Sequence, residues 1–274
     1  MKGISLYSVI PVRTEASEAA EQSTQILFGE TFAILEQKTR WMRVKLDSDG
    51  QEGWVDAKMI CPMKAEEYAS YRKALDSAAT VVMPMTYAVS ENNGQTIPLT
   101  AGTKLTNYQS PMTNGASTAR FEVLGVGFRI DPGMVRAKSL DLNEQNLLQA
   151  VRFFLNIPYL WGGKNAMGMD CSGFTQIILS LFGKNLPRNA SEQATCGRKI
   201  SALTKVKAGD LVFFNHQSPM TNDQSPITHV GIVIDAERVI HCSGRVKVEK
   251  LDETGIFNAE TGQYSHHLVS IRRI

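Results

Sequence analysis

The chain has 274 residues and a mass of 30.2 kDa, which at roughly 100–200 residues per domain predicts two or three domains. Its 29 Lys+Arg against 27 Asp+Glu leave a net charge of only +2, so no global field draws it to nucleic acid. At 43% hydrophobic and 20% charged residues the composition excludes a disordered chain, and no apolar run approaches the roughly 18 residues of a membrane-spanning helix.

The opening residues 1–7 carry one positive charge but no apolar block or small-residue cleavage site. They do not read as a signal peptide. The expected location is the cytoplasm, or the periplasm or cell envelope if an export signal has been removed. Residues 1–62 alternate β-prone runs (26–28, 31–35, 41–46 and 53–55) with turns at Gly29-Glu30, 37–40 and 47–50, the pattern of a small barrel. In 41–46, Trp41, Met42, Val44 and Leu46 nearly alternate with Arg43 and Lys45, which predicts a half-buried strand. Residues 63–78 lack Gly and Pro and set Tyr68, Tyr71 and Leu75 at helical spacing, which predicts a linker helix. Residues 79–140 return to strands and Gly-marked turns, and a second, diverged barrel is expected there. The hexapeptide at 109–114 recurs at 217–222, Gln-Ser-Pro-Met-Thr-Asn in both places, without a regular period.

From 141 the pattern changes. Residues 143–155 predict an amphipathic helix capped by Asn143, with Leu147, Leu148, Val151, Phe154 and Leu155 on one face. A second, apolar helix is expected over 171–182, then strands at 211–214, 229–234 and 239–242. Helices first and strands later within 141–274 make an α+β domain.

Four cysteines are present: Cys61, Cys171, Cys196 and Cys242, with no Cys-x-x-Cys pair. Neither a structural zinc site nor a disulfide scaffold is expected. Cys171 follows Asp170, which can cap the predicted helix, so the thiol stands in its first turn. There the helix dipole and unpaired N–H groups favour a thiolate and lower its pKa, as a nucleophile requires; a buried cysteine packing a helix start fits the same pattern. Downstream, a three-residue loop at 235–237 would place Gly231 opposite His241. His229 and His241 then share a face as diagonal neighbours, with Gly231 leaving room between them. Two imidazoles so placed suit a base and its orienter. They also suit a satisfied structural pair or an incomplete metal site, and a two-residue loop would separate them. His216 is the other histidine nearby; His266 and His267 receive no role.

Six segments occur in order: Tyr159-Leu160-Trp161-Gly162-Gly163, Asp170-Cys171-Ser172-Gly173-Phe174, Pro187-Arg188-Asn189-Ala190-Ser191-Glu192-Gln193, residues 209–214, Thr228-His229-Val230-Gly231-Ile232, and Val239-Ile240-His241. Together they resemble the NlpC family of papain-like cell-wall cysteine peptidases over residues 145–273. The region before them resembles the paired bacterial SH3-like modules of that family's YkfC type. The resemblance implies an α+β, papain-like catalytic domain after two small SH3-like β-barrels. It implies hydrolysis of the γ-D-glutamyl to L-diamino-acid bond of murein peptides such as L-Ala-γ-D-Glu-diamino acid, in cell-wall recycling, with no metal and no organic cofactor. Cys171 would be the nucleophile, His229 the general base and His241 the third polar residue. Tyr159 would help hold the oxyanion; Trp161 falls in the same motif. Asp170 and Ser172 would contact substrate, and Arg188 would hold a substrate carboxylate. Where relatives often carry Ser, this chain has Ala190, so a hydroxyl contact is lost or comes from Ser191. Glu21 matches the acidic residue that meets the free amine of an N-terminal L-alanine, or is a solvated carboxylate; the tyrosine that accompanies it in relatives is absent, with Gln51 or Trp54 in its neighbourhood. Two other functions fit the same fold: a catalytically inactive binding module for murein fragments, and a thiol acyltransferase.

Overall fold

The computed structural model describes residues 1–111, 117–215 and 227–274. Segment 217–222 and part of its copy at 109–114 lie outside the described residues, as does His216. The chain forms two compact units, Met1–Ser139 and Leu140–Ile274. Among the described residues no helix is long and apolar enough to cross a membrane.

Unit 1 begins with strands β1 (Lys2–Ile4), β2 (Val9–Arg13), β3 (Gln22–Leu27), β4 (Thr31–Lys38), β5 (Trp41–Leu46), β6 (Glu52–Asp56) and β7 (Cys61–Met63). They form one sheet in the order β3-β2-β6-β5-β4-β1-β7. The alternation seen in the sequence is the cause: inward residues Ile10, Val12, Ile26, Phe32, Val44, Leu46 and Val55 make one apolar cluster. Helix α1 (Ala65–Leu75) follows, then β8 (Ala79–Val81), β9 (Met85–Ser90), β10 (Thr96–Thr100), β11 (Lys104–Leu105), β12 (Ala119–Val123), β13 (Val126–Ile130) and β14 (Val135–Arg136). Among the described residues these strands form a sheet β10-β9-β13-β12 and a sheet β11-β8-β14.

Helix α1 does more than link. Tyr71 is buried, and its hydroxyl donates to the Gly29 carbonyl at 3.0 Å. It joins Ile4, Phe28 and Met63 from the first part of the unit with Val81, Leu105 and Phe121 from the second in one core. The expected linker is thus a packed element, because its aromatic stripe has apolar surface on both sides to bury.

Unit 2 contains α2 (Glu144–Val151), β15 (Lys164–Asn165), β16 (Gly168–Met169), α3 (Cys171–Ser180), α4 (Ala190–Gln193) and β17 (Arg198–Lys199). The strands β18 (Leu211–Asn215), β19 (His229–Val233), β20 (Arg238–Ser243), β21 (Arg245–Leu251), β22 (Gly255–Asn258) and β23 (Gln263–Arg273) follow. Among the described residues one sheet runs β17-β23-β18-β19-β20-β21-β22, with β22 also paired to β23. Asn143 caps α2 by accepting from the Asn146 N–H at 2.9 Å. The helix stops short of the expected Leu155: Phe154 turns back to the Val151 carbonyl at 2.9 Å, and Asn156 takes a left-handed φ of 67° before Ile157-Pro158. Helix α3 is buried from Cys171 through Leu179, which accounts for its apolar composition all round. The strands after residue 243 were absent from the sequence expectation, and they complete the site.

Candidate active site

Two structures converge on the thiol: the N-terminus of α3 and the β19–β20 hairpin. Asp170 is the α3 N-cap, and its Oδ1 accepts from the Gly173 N–H at 2.7 Å. Its Oδ2 accepts from the Gly162 N–H at 2.9 Å. Arg188 grips both oxygens, Nη1 donating to Oδ1 at 3.0 Å and Nη2 to Oδ2, and Nη1 also reaches Ser172 Oγ at 2.8 Å. Gly173 makes this turn possible: a Cβ there would stand 2.2 Å from the Gly163 carbonyl oxygen.

This network fixes how Arg188, Asp170 and Ser172 are held. Arg188 is only 2% exposed, and its guanidinium is engaged with Asp170 and Ser172. The Asp170 carboxylate likewise accepts from internal donors, and the Ser172 hydroxyl donates to it at 3.2 Å. All three shape the helix start. Gln193, quoted above only as part of a motif, closes it from α4, its Nε2 donating to the Ser172 and Pro187 carbonyls at 3.2 and 2.9 Å.

The Cys171 thiol is buried, and the Val230 and Ser172 backbone N–H groups act to lower its pKa. Its pKa runs opposite to the helix-dipole expectation. Burial first, then the Asp170 charge, push it up to about 11 against those N–H groups and Arg188. The N-cap carboxylate occupies the positive end of the dipole, so the thiolate meets a second anion where an open helix end was expected.

Beside Val230, β19 begins at His229. Gly231 pairs with His241 across the hairpin, which is the register a loop at 235–237 requires. His229 Nε2 lies 2.8 Å from His241 Nδ1, with the rings edge to face at 5.0 Å. A Cβ on Gly231 would come within 3.1 Å of His241 Cβ and 2.6 Å of Val239 Cγ2, so the close pairing depends on the glycine. His241 is fully buried, and that burial lowers its pKa, with Glu249 opposing.

Two side chains escaped the sequence reading. Glu249 Oε2, on β21, is 2.8 Å from His241 Nε2. His266, buried on β23, sets its ring 4.1 Å from that of His229. The alternation Arg245-Val246-Lys247-Val248-Glu249 signals a strand; which acid reaches His241 depends on register, which the sequence alone does not carry. Among the described residues no group of three or more His, Cys, Asp or Glu side chains is placed to hold a metal ion.

Tyr159 is half-buried. Its N–H donates to the Gly244 carbonyl at 2.8 Å, and the adjacent Leu160 N–H donates to Met169 at 3.0 Å, which holds the loop against the approach to Cys171. Burial, then the nearby Cys171 and Asp170 charges, raise the phenol's pKa; its O–H remains a donor at neutral pH. Trp161 is 60% exposed at the rim, and Ser191 is exposed on α4. Glu21 belongs to unit 1, exposed just before β3.

Residues 156–270 match the model of the NlpC/P60 family. Unit 2 is an NlpC/P60 domain. Residues 12–60 match the bacterial dipeptidyl-peptidase Sh3 domain. The chain is 28% identical over 225 residues to the gamma-D-glutamyl-L-lysine dipeptidyl-peptidase of Bacillus subtilis, covering 80% of this chain and 71% of that one. A protein of the same name from Bacillus cereus is 23% identical over 239 residues, covering 82% of this chain and 68% of that one. The crystal structure of an NlpC/P60 family protein from Bacillus cereus superposes with a TM-score of 0.80 at 19% identity, covering 100% of this chain and 99% of that one; it shows the fold.

Proposed function

We propose that this protein is a cysteine peptidase that hydrolyses the γ-D-glutamyl to L-diamino-acid bond of free murein peptides. The activity for which the two Bacillus relatives are named supports the bond. The observation that carries the chemistry is the His229–His241 pair, bonded at 2.8 Å across the β19–β20 hairpin whose Val230 lies beside the Cys171 thiol.

His229 spends Nε2 on His241, so exchange with the thiol runs through Nδ1. In the proposed reaction Nδ1 takes the thiol proton as sulfur bonds to the γ-carbonyl carbon. Negative charge moves to the carbonyl oxygen, where the Cys171 N–H and the Tyr159 hydroxyl donate. The tetrahedral intermediate collapses, the C–N bond breaks, and imidazolium His229 protonates the leaving diamino-acid amine. A water then gives its proton back to His229 and its hydroxide to the thioester, which releases the γ-D-glutamyl acid and restores the thiol. Asp170 and Arg188 act by holding the helix start rigid, and Trp161 offers an exposed ring beside the entry.

The test is mass spectrometry of L-Ala-γ-D-Glu-L-Lys and its diaminopimelate counterpart after incubation with the protein, each with and without N-acetylation. The expected result is release of the diamino acid, abolished by Cys171→Ala. Intact peptide with measurable binding would establish a binding module instead, and transfer of the acyl group to an added amine a transferase. Cleavage of free but not acetylated peptide would show that the N-terminal amine is recognised.

A further inference from the structure

We infer that Glu249 is a positioning residue of this site: its carboxylate sets the tautomer of His241 and, through it, that of His229, so that the nitrogen used on the thiol is the basic one. The inference rests on the peptidase reading above.

The geometry supplies the argument. Strand β21 runs antiparallel to β20, with Lys247 opposite His241 and Glu249 opposite Val239, so Glu249 is a diagonal neighbour of His241. Its Oε2 stands 2.8 Å from His241 Nε2. A carboxylate only accepts, so the proton of that bond belongs to His241 Nε2. A neutral imidazole carries a single N–H, which leaves His241 Nδ1 an acceptor. Its partner at 2.8 Å, His229 Nε2, must then donate. The proton of neutral His229 is thereby held on Nε2, and Nδ1 keeps its lone pair. Reversal of the chain would put a proton on His229 Nδ1, a state that cannot take one from sulfur.

The surroundings keep the far end anionic. Lys247 Nζ is 3.0 Å from the same Oε2. The Glu249 side chain is 11% exposed and lines a surface groove with Arg245, Lys247 and Phe257, whereas His241 is fully buried. Burial opposes ionisation of Glu249, but hydrogen bonds from His241 and Lys247 outweigh it and hold the carboxyl below its usual range. Among the described residues the titratable groups facing His241 are His229 on β19, Lys247 and Glu249 on β21, and His266 on β23, whose ring lies 5.7 Å away. Glu249 is the acid among them.

The experiment compares wild type, Glu249→Ala and the near-isosteric Glu249→Gln. It measures kcat and KM for the tripeptide across pH, and the rate of Cys171 alkylation by iodoacetamide across pH, read on the Cys171 peptide. Glu249→Ala should lower kcat roughly tenfold to hundredfold, part of the ~10²–10⁴ that a positioned base contributes, with KM nearly unchanged. Because the carboxylate favours imidazolium, its loss should move the acid limb of both profiles down by about one unit. Glu249→Gln should recover part of kcat, since the amide oxygen can still accept from His241, while its acid limb stays shifted. Unshifted acid limbs in both folded variants would overturn the inference, whether or not kcat falls, because loss of structure alone lowers kcat without moving the limb. A wild type that leaves the peptide intact would sink the peptidase reading; the alkylation profile needs no substrate and still decides the role of Glu249.

Discussion

Cys171 is held as a thiol by its surroundings. Its burial and the Asp170 carboxylate oppose the thiolate and lift the pKa to about 11. In the proposed reaction the thiolate therefore forms only as His229 takes its proton. A direct consequence concerns His229→Ala. Iodoacetamide should label Cys171 in the wild type near neutral pH. In the variant, labelling near neutral pH should fall and rise only in alkaline solution, as read from the Cys171 peptide by mass spectrometry. Fast neutral labelling of the variant would mean that the helix end alone makes the thiolate. The residue types at positions 171, 229 and 241 were legible from motif and spacing. The sign of the thiol shift was not, because it depends on whether Asp170 points into the helix end or away from it.

At the scale of elements, the β19–β20 hairpin is the device that turns two distant histidines into one unit. Its register follows from local signals: a three-residue loop and a glycine at the crowded position. Gly231→Ala tests the crowding. The new Cβ would press on Val239 and His241, costing about 1–3 kcal/mol of stability as small-to-large changes in packed sites do. Displacement of the His241 ring should lower kcat by more than the lost stability explains, when both are measured at a temperature where the variant is folded. Equal kcat in the folded variant would show that the pair tolerates movement. The strands beyond the hairpin were less legible. Histidines 266 and 267 sit on β23, which pairs with β18 and β22, and only that pairing selects His266 as the ring that packs on His229.

At the scale of the molecule, unit 1 unites what the sequence presents as separate pieces. Tyr71 is the member of α1 that reaches the shared core of Ile4, Phe28, Val81 and Phe121. Tyr71→Ala should therefore destabilise unit 1 by about 3–5 kcal/mol, the range for removal of a large buried aromatic. Hydrogen exchange on the full chain should show β1 and the strands of 79–136 losing protection together, with unit 2 unchanged. Loss confined to one side of α1 would mean two independent cores.

What the sequence determined by itself was local in origin: the small strands of unit 1, the Asn143 and Asp170 caps, the thiol at a helix start and the histidine hairpin. Each rests on residues close together in the chain, where spacing and turn chemistry specify geometry. The tertiary structure alone decided the rest. It turned Arg188 inward onto Asp170, raised the thiol's pKa, brought Glu249 and His266 to the histidine pair, and buried Tyr71 in a core drawn from both halves of unit 1. These outcomes depend on strand register and on which charges share a dry interior, and burial fixes both only when distant segments pack.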